Sequence, residues 1–307
     1  MVEFRRLDPL TNASPWRRHV KRGVKTFTLT EEQYGHIEET RPGLVVTEDD
    51  AVVVGQPLRD FLIVHYAFPD LNEFASSFKE LFDRCANASS REEAPRGVII
   101  NFRDRPNRAR AQQLFWDCLL TEAGHWVETD HLSVPEQDDP GDAIEGGYQA
   151  RDATDEDRDT VSRLEAEVAG LPPLTAGGVE TLFQNSDWIK LVTTSSGVPI
   201  GCIVMRREPG GWGIIDHIFL LQAVRDQLRE PVTRWAIAFL RNNGGRRQRR
   251  RVYLDEKEDL ALMRALDFIP GETGVDYIRP SVDAEDVQRQ LDERKAHGSI
   301  IKFGGWR

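Results

Sequence analysis

The chain has 307 residues, of which 39% are hydrophobic and 30% charged, and a formal net charge of −11. That length suggests about two domains of roughly 150 residues, each able to bury a core. The negative balance favours solubility and weighs against non-specific nucleic-acid binding by the whole molecule.

The segment up to Gly23 has no apolar stretch of the kind a secretory signal carries. No run of about 18 apolar residues occurs anywhere, so no membrane span and a cytoplasmic location are expected. In the first half, 43–49, 51–55 and 60–68 read as strands. The stretch 70–86 is a helix with Leu71, Phe74, Phe78, Leu81 and Phe82 on one face. A strand over 96–102, a helix over 107–124 and a strand over 125–134 follow. Val134 to Gly147 is rich in Asp, Glu, Pro and Gly, and apolar periodicity stops there. It reads as an interdomain linker.

After the linker comes a short strand over 148–151. The helix over 153–170 opens on Thr154 and Asp157, which resemble a capping box, and shows Val161, Leu164, Glu165 and Val168 on one face. A short helix over 177–185 precedes strands over 187–194 and 199–207, joined by a hairpin signal at 195–198. A third strand over 211–221 leads through the charged stretch Gln222 to Glu230 into a helix ending near Asn243, with Pro231 in its first turn. Strand 250–255, helix 258–268 and strand 274–280 complete the order. A strand-helix-strand-helix-strand run thus occurs twice, which points to a structural duplication. Beyond it, 282–307 reads as a charged helical tail ending in a segment, Ser299 to Arg307, expected to dock through its apolar residues.

This order resembles the GNAT N-acetyltransferase superfamily, a mixed α/β fold, over Tyr148 to Pro280. The family's most specific motif closes the fourth strand and opens the third helix: Arg or Gln, two residues, Gly, one residue, Gly or Ala. Its backbone N–H groups hold the pyrophosphate of acetyl-CoA. Here Arg225 and Gln227 fall in register, while Leu228 and Glu230 stand where the family has glycines. The resemblance implies an acetyl-CoA site formed by Phe219, Leu220, Leu221, Arg225, Gln227, Leu228, Arg229 and Glu230. It also places Met263 where many members carry a tyrosine general acid, and Phe268 on the motif's phenylalanine. In the first half, Phe115 lies in or near the same tyrosine slot. The whole chain is therefore similar to a tandem of two such domains, over 1–140 and 146–281, with a degenerate first copy.

A helix N-terminus favours an anion by roughly 0.3–2 kcal/mol, and Arg225 and Arg229 add charge and donors. Leu228 hinders close approach, and Glu230 repels a pyrophosphate. Weak binding of acetyl-CoA is the expectation. Asp216 and His217 sit on the strand where many family members carry a general base, and a histidine near its ordinary pKa can take the proton of an amine. A structural hydrogen-bonding role for either residue stays open.

Two functions remain: an acetyl-CoA-dependent N-acetyltransferase acting on a small-molecule or peptide amine, or a non-catalytic binding or regulatory protein. Five arginines between Arg246 and Arg251 are expected in protein contacts rather than on nucleic acid. Cys85, Cys118 and Cys202 are expected to be reduced and mostly buried. The histidines have no ligand spacing, so no structural metal is expected. A monomer or homodimer is the expected state.

Overall fold

The computed structural model describes residues 24–25, 29, 31–92, 96–103, 108–132, 140–170, 172–208, 210–281, 285–286, 288–289 and 292. The docking segment expected over 299–307, most of the tail helix and linker residues 134–139 lie outside these. Two compact units form. Unit one takes Met1–Pro57, Phe61–Glu122 and Asp276–Ile300; unit two takes Leu58–Asp60, Ala123–Val275 and Ile301–Arg307.

Unit one contains β1 (Val24–Lys25), α1 (Glu31–Thr40), β2 (Val45–Glu48), β3 (Ala51–Leu58), β4 (Phe61–Phe68), α2 (Leu71–Glu92), β5 (Gly97–Arg103) and α3 (Arg108–Asp117). Strands β2 to β5 lie side by side in chain order. The pair β4/β5 is parallel over Phe61–Ile63 and Gly97–Ile99. The expected apolar face of α2 is in place: Phe74, Phe78, Leu81 and Phe82 are buried. Phe74 stacks on Tyr66 at 5.0 Å, Phe78 meets Phe115 at 5.6 Å, and Phe115 lies 4.8 Å from Tyr277.

The helix expected to reach residue 124 stops at Asp117, and β6 (Thr121–Leu132) begins sooner than the periodicity predicts. The stop is a left-handed residue, Leu119 at φ 62°, after which the Leu120 N–H returns to the Phe115 carbonyl at 2.9 Å. Such caps are ordinarily glycine, so a leucine there leaves no signal in the sequence. Only the first two residues of β6 belong to unit one.

Unit two continues β6 and adds β7 (Ala143–Ile144), β8 (Tyr148–Asp152), α4 (Arg158–Ala169), α5 (Ala176–Gln184), β9 (Trp188–Thr193), β10 (Pro199–Glu208), β11 (Trp212–Leu220), α6 (Gln222–Asn242), β12 (Arg247–Tyr253), α7 (Lys257–Ala265) and β13 (Ile269–Arg279), whose last four residues lie in unit one. From β8 onward the order is the one the resemblance implied. The sheet runs β6-β12-β11-β10-β9-β8-β7, antiparallel except for the parallel pair β11/β12. Residues 140–147 of the acidic segment are packed: Ile144 is buried in the core, and the Gly141 carbonyl accepts from Trp235 Nε1 at 3.0 Å.

Alternation along β10 sends side chains to two cores. Ile203 and Met205 pack with α6 and α7 residues such as Val232, Trp235, Leu240 and Met263. Cys202 and Val204 pack with Val161 and Leu164 of α4 and Leu182 of α5. All three cysteines are free and buried, and burial pushes the Cys85 and Cys118 thiols up to about 12.

The charged stretch before α6 is helix, not turn. Helix α6 starts at Gln222, and Pro231 lies well inside it rather than in its first turn. Ala223, Arg225, Gln227, Leu228, Arg229 and Glu230 are all favourable helix residues, and no glycine interrupts them. Proline removes the hydrogen bond to the carbonyl of Gln227; Gln227 is exposed, so water can serve that carbonyl. Leu228 is buried at 1% exposure within the α6/α7 core. Leu228→Ala should therefore destabilise unit two by about 2–5 kcal/mol in urea melts, with Leu228→Gly worse still because of its helix penalty.

Candidate functional site

The parallel pairing of β11 with β12 covers Trp212–Ile215 and Arg247–Arg250 and then stops. Strand β11 runs on to Leu220 beside β10, and β12 runs on to Tyr253 beside β6. The two strands part, and the edge of β11 from Asp216 to Leu220 faces the opening. A β-bulge sits at its start: β10 registers Met205 with Ile215 but Val204 with His217, leaving Asp216 as the extra residue. Bulges re-aim side chains and end pairing, and this one places the two candidate base residues at the parting.

Asp216 is held by Arg206, whose Nε donates to Oδ1 at 3.1 Å, while Arg206 also binds Glu208. Burial raises the Asp216 carboxyl above the ordinary aspartate range, against the pull of Arg206. His217 is exposed, and its ring lies parallel to Phe219 at 5.3 Å. Desolvation by the surrounding protein, with the positive charges of Arg59, Arg250, Arg251 and Arg206, holds its pKa well below the usual value of 6.5. His217 is thus neutral at pH 7, with a lone pair to offer. It is the accessible one of the two, and its depressed pKa makes it a weaker base than the ordinary histidine expected from the sequence.

Helix α6 begins at the end of this strand. Its N-cap residue, Leu221, supplies no side-chain acceptor; the Val224 N–H bonds the Leu221 carbonyl at 3.0 Å, and the N–H groups of Gln222 and Ala223 remain for an anion. Helix α2 of unit one does the opposite: Asp70 Oδ1 accepts from the N–H groups of Asn72 at 2.7 Å and Glu73 at 3.0 Å. That carboxylate fills the anion position.

The residues expected to cradle a pyrophosphate are dispersed around the helix. Arg225, in its first turn, is partly exposed and makes no ion pair among the described residues. Gln227 is exposed. Leu228 is in the core. Arg229 is drawn to Glu258 at 2.8 Å and Asp259 at 3.4 Å. Glu230 turns outward to Arg234 at 2.7 Å. Phe219 and Leu220 are buried on opposite sides of the sheet, and Leu221 is half-buried between the two cores.

Met263, in the tyrosine slot, is buried in the α6/α7 core and has no proton to give. Phe268 is buried and lies 5.1 Å from His131. Its N–H bonds the Met263 carbonyl at 2.9 Å, with Asp267 left-handed at φ 61°. This repeats the Phe115–Leu120 cap of α3, so Phe115 and Met263 hold equivalent places. Tyr277 is in the aromatic core of unit one, and the Tyr253 ring packs over Gly124.

Three of the clustered arginines have carboxylate partners within unit two. Arg249 binds Asp130 through two nitrogens, at 2.7 and 3.2 Å, Arg250 binds Asp259 at 3.1 Å, and Arg251 lies 3.5 Å from Glu128 and 3.9 Å over the Trp126 ring. Arg246 and Arg247 are exposed.

One residue here has no sequence signal, and its partner shows only as part of a helix face. Arg59, in the β3–β4 turn, lies 5.4 Å over the Phe219 ring and 3.1 Å from Glu165 Oε1. Glu165 was visible as an acid on the apolar face of α4; Arg59 carries no local signal.

No protein-family model matches the sequence, and no curated protein matches it. Solved structures do. A GCN5-related N-acetyltransferase from Sphaerobacter thermophilus aligns at TM-score 0.53 and 16% identity, over 76% of each chain. Another from Kribbella flavida aligns at 0.50 and 14%, over 83% of this chain and 98% of that one. A functionally unknown conserved protein from Staphylococcus epidermidis aligns at 0.50 and 11%, over 80% and 97%. At such identities the likeness is one of fold. No helix among the described residues is long and apolar enough to cross a membrane.

The neutral His217 makes the fold pH-sensitive. Unfolding returns the ring to its ordinary pKa of 6.5, so the unfolded chain gains a proton there below that pH while the folded one does not. Stability is lost as pH falls through 6.5 toward the depressed folded value. In urea melts at pH 7.5 and 5.5, His217→Gln should lose less than wild type, by about 0.5 kcal/mol after solvent screening of an accessible ring.

Proposed function

We propose that this chain, whose fold is that of the GCN5-related N-acetyltransferases, transfers an acetyl group from acetyl-CoA to an amine where β11 and β12 part. The observation that carries the reading is the conjunction at that opening: an unpaired strand edge, an accessible neutral histidine, and a helix N-terminus without a side-chain cap.

The acceptor's ammonium loses a proton to His217, and the neutral amine attacks the thioester carbonyl; its second proton passes to water as the tetrahedral intermediate collapses. The N–C bond forms, and the C–S bond breaks with its electron pair leaving on sulfur as thiolate. Backbone N–H groups on the free edge of β11 can stabilise the carbonyl oxygen as it becomes negative. Met263 cannot protonate the thiolate, so water supplies that proton. Asp216, paired with Arg206, positions the bulge. The α6 N-terminus and Arg225 would hold the pyrophosphate. Leu228, Arg229 and Glu230 are committed elsewhere, which supports weak binding.

The same reading makes the chain a tandem of two such domains with one site, in the second. It is cytoplasmic and monomeric or homodimeric, and Arg246–Arg251 serve protein contacts rather than nucleic acid. The buried Met263 and the helical, glycine-free start of α6 favour a second reading, a non-catalytic binding or regulatory protein.

Calorimetric titration of acetyl-CoA decides between binding and none, and thiol release with an amine panel decides on catalysis. A Kd on the order of 0.1–1 mM is expected. Arg225→Ala should weaken it at least ten-fold, since a charge-assisted hydrogen bond contributes roughly 1.5–3 kcal/mol. Leu221→Asp, which gives α6 its own carboxylate as Asp70 does for α2, should weaken it comparably while the circular dichroism stays that of wild type. Absence of heat and of thermal stabilisation at millimolar acetyl-CoA would sink the transferase reading.

A further inference from the structure

The turn between β3 and β4 is two residues long, and Arg59 sits in it at φ 54°. Glycine or asparagine would take that conformation at lower cost, so the surrounding contacts must hold the arginine there. Three contacts hold the turn. The Asp60 carboxylate accepts from Thr175 N at 3.1 and 3.2 Å and from Thr175 Oγ1 at 2.5 Å, at the start of α5. Thr181 Oγ1 donates to the Arg59 carbonyl at 3.1 Å. Gly178 admits this: a Cβ there would fall 1.9 Å from Asp60 Oδ1.

So placed, the guanidinium lies over one ring, Phe219, that also stacks with His217. An amine delivering its proton to His217 must approach on this face of the sheet, where α4 carries Glu165. Arg59 Nη1 meets Glu165 Oε1 at 3.1 Å, but Arg59 Nη2 and Glu165 Oε2 are enclosed without hydrogen-bond partners. Arginine–carboxylate pairs are frequently bidentate, with two parallel bonds. This pair makes one, and leaves one cationic donor and one anionic acceptor without a protein partner. Unsatisfied buried groups of this kind are costly and call for a partner. The complement of the two is a zwitterion with an anion and an ammonium on neighbouring carbons.

We propose that Arg59 and Glu165 form the acceptor subsite, and that the acceptor is a free α-amino acid. Its carboxylate binds Arg59, and its ammonium lies between Glu165 and His217. This assignment rests on the transfer reading for its role as acceptor, but binding at the subsite does not need the acyl donor. Arg59 keeps 16% side-chain exposure, so rotation of its side chain opens the pair.

The test uses the full chain without acetyl-CoA. Thermal shift and calorimetry are run with each of the twenty proteinogenic amino acids, their methyl esters and the corresponding decarboxylated amines. At least one amino acid should stabilise wild type, with its ester and amine at least ten-fold weaker. Arg59→Gln should lose that binding, and Glu165→Gln should weaken it. Arg59→Lys should retain part of it, having charge without the fork. Unchanged circular dichroism and urea melts in the variants certify the fold; should Arg59→Gln fail to fold, the acid, ester and amine comparison on wild type decides alone. No stabilisation by any amino acid, equal binding of acid and ester, or full binding by Arg59→Gln would overturn the proposal. Arg59-dependent amino-acid binding without acetyl-CoA binding would instead remove the transferase reading and leave this site standing.

Discussion

The parting of β11 from β12 after the Ile215–Arg250 pair governs the rest of unit two. Two parallel strands that separate leave backbone N–H and C=O groups on the edges they no longer share, and such groups require partners. For β12 the partner is β6, which pairs with it from Arg247 to Tyr253 on its other side. The edge of β11 from Asp216 onward has its second ladder only with β10. The bulge at Asp216 turns this backbone feature into chemistry, because it sets His217 at the mouth of the opening with its ring on Phe219.

Unit one repeats the short parallel pairing with different side chains around it. Strands β4 and β5 pair in parallel only over Phe61–Ile63 and Gly97–Ile99, and His65 follows the last pair by two residues, as His217 does in β11. There the histidine is buried and bonded to Gln56 at 3.2 Å. Tyr66, Phe68, Phe74, Phe78 and Phe115 pack ring against ring beside it. Phe74 takes the fourth position of α2, where Arg225 stands in α6, and Asp70 has supplied the helix with its own anion. Rings and a carboxylate have turned an opening into a core. A fold carries no function by itself; the side chains placed on it do.

What was legible in the chain follows from the range of the interactions. The order β8 to β13 could be read because each element announces itself by local periodicity, and the apolar face of α2 because 3.6-residue spacing is unambiguous when every member is aromatic or leucine. The end of α3 could not be read, because its terminator is Leu119 rather than a glycine. The start of α6 is masked because Gln222 to Glu230, with four charged residues among nine, looks like a turn but consists mostly of helix formers. The register of Arg225 with an anion motif was legible; the commitment of Arg229 to Asp259 and of Leu228 to the core was not, since both depend on what α7 and the sheet bring alongside. Arg59 meeting Glu165 is a contact between residues far apart in sequence, and local pattern carries no trace of it.

The glycine-free start of α6 exchanges one means of holding an anion for another. A loop of glycines folds its amides around phosphates by visiting φ > 0. A continuous helix cannot, and offers its dipole, the amides of its first turn and whatever cations lie near. In this chain most nearby cations are neutralised: Arg229 by Glu258 and Asp259, and Arg250 by Asp259, with burial pushing the Arg250 charge down and Arg225 pushing in the same direction. A dianionic group near Arg225 would relieve the repulsion between Arg225 and Arg250, while Glu256, Glu258 and Asp259 would oppose it. The balance between those two terms, not the number of arginines, sets the affinity, and because Arg225 is partly exposed while Asp259 is already paired, the favourable term is the one within a ligand's reach.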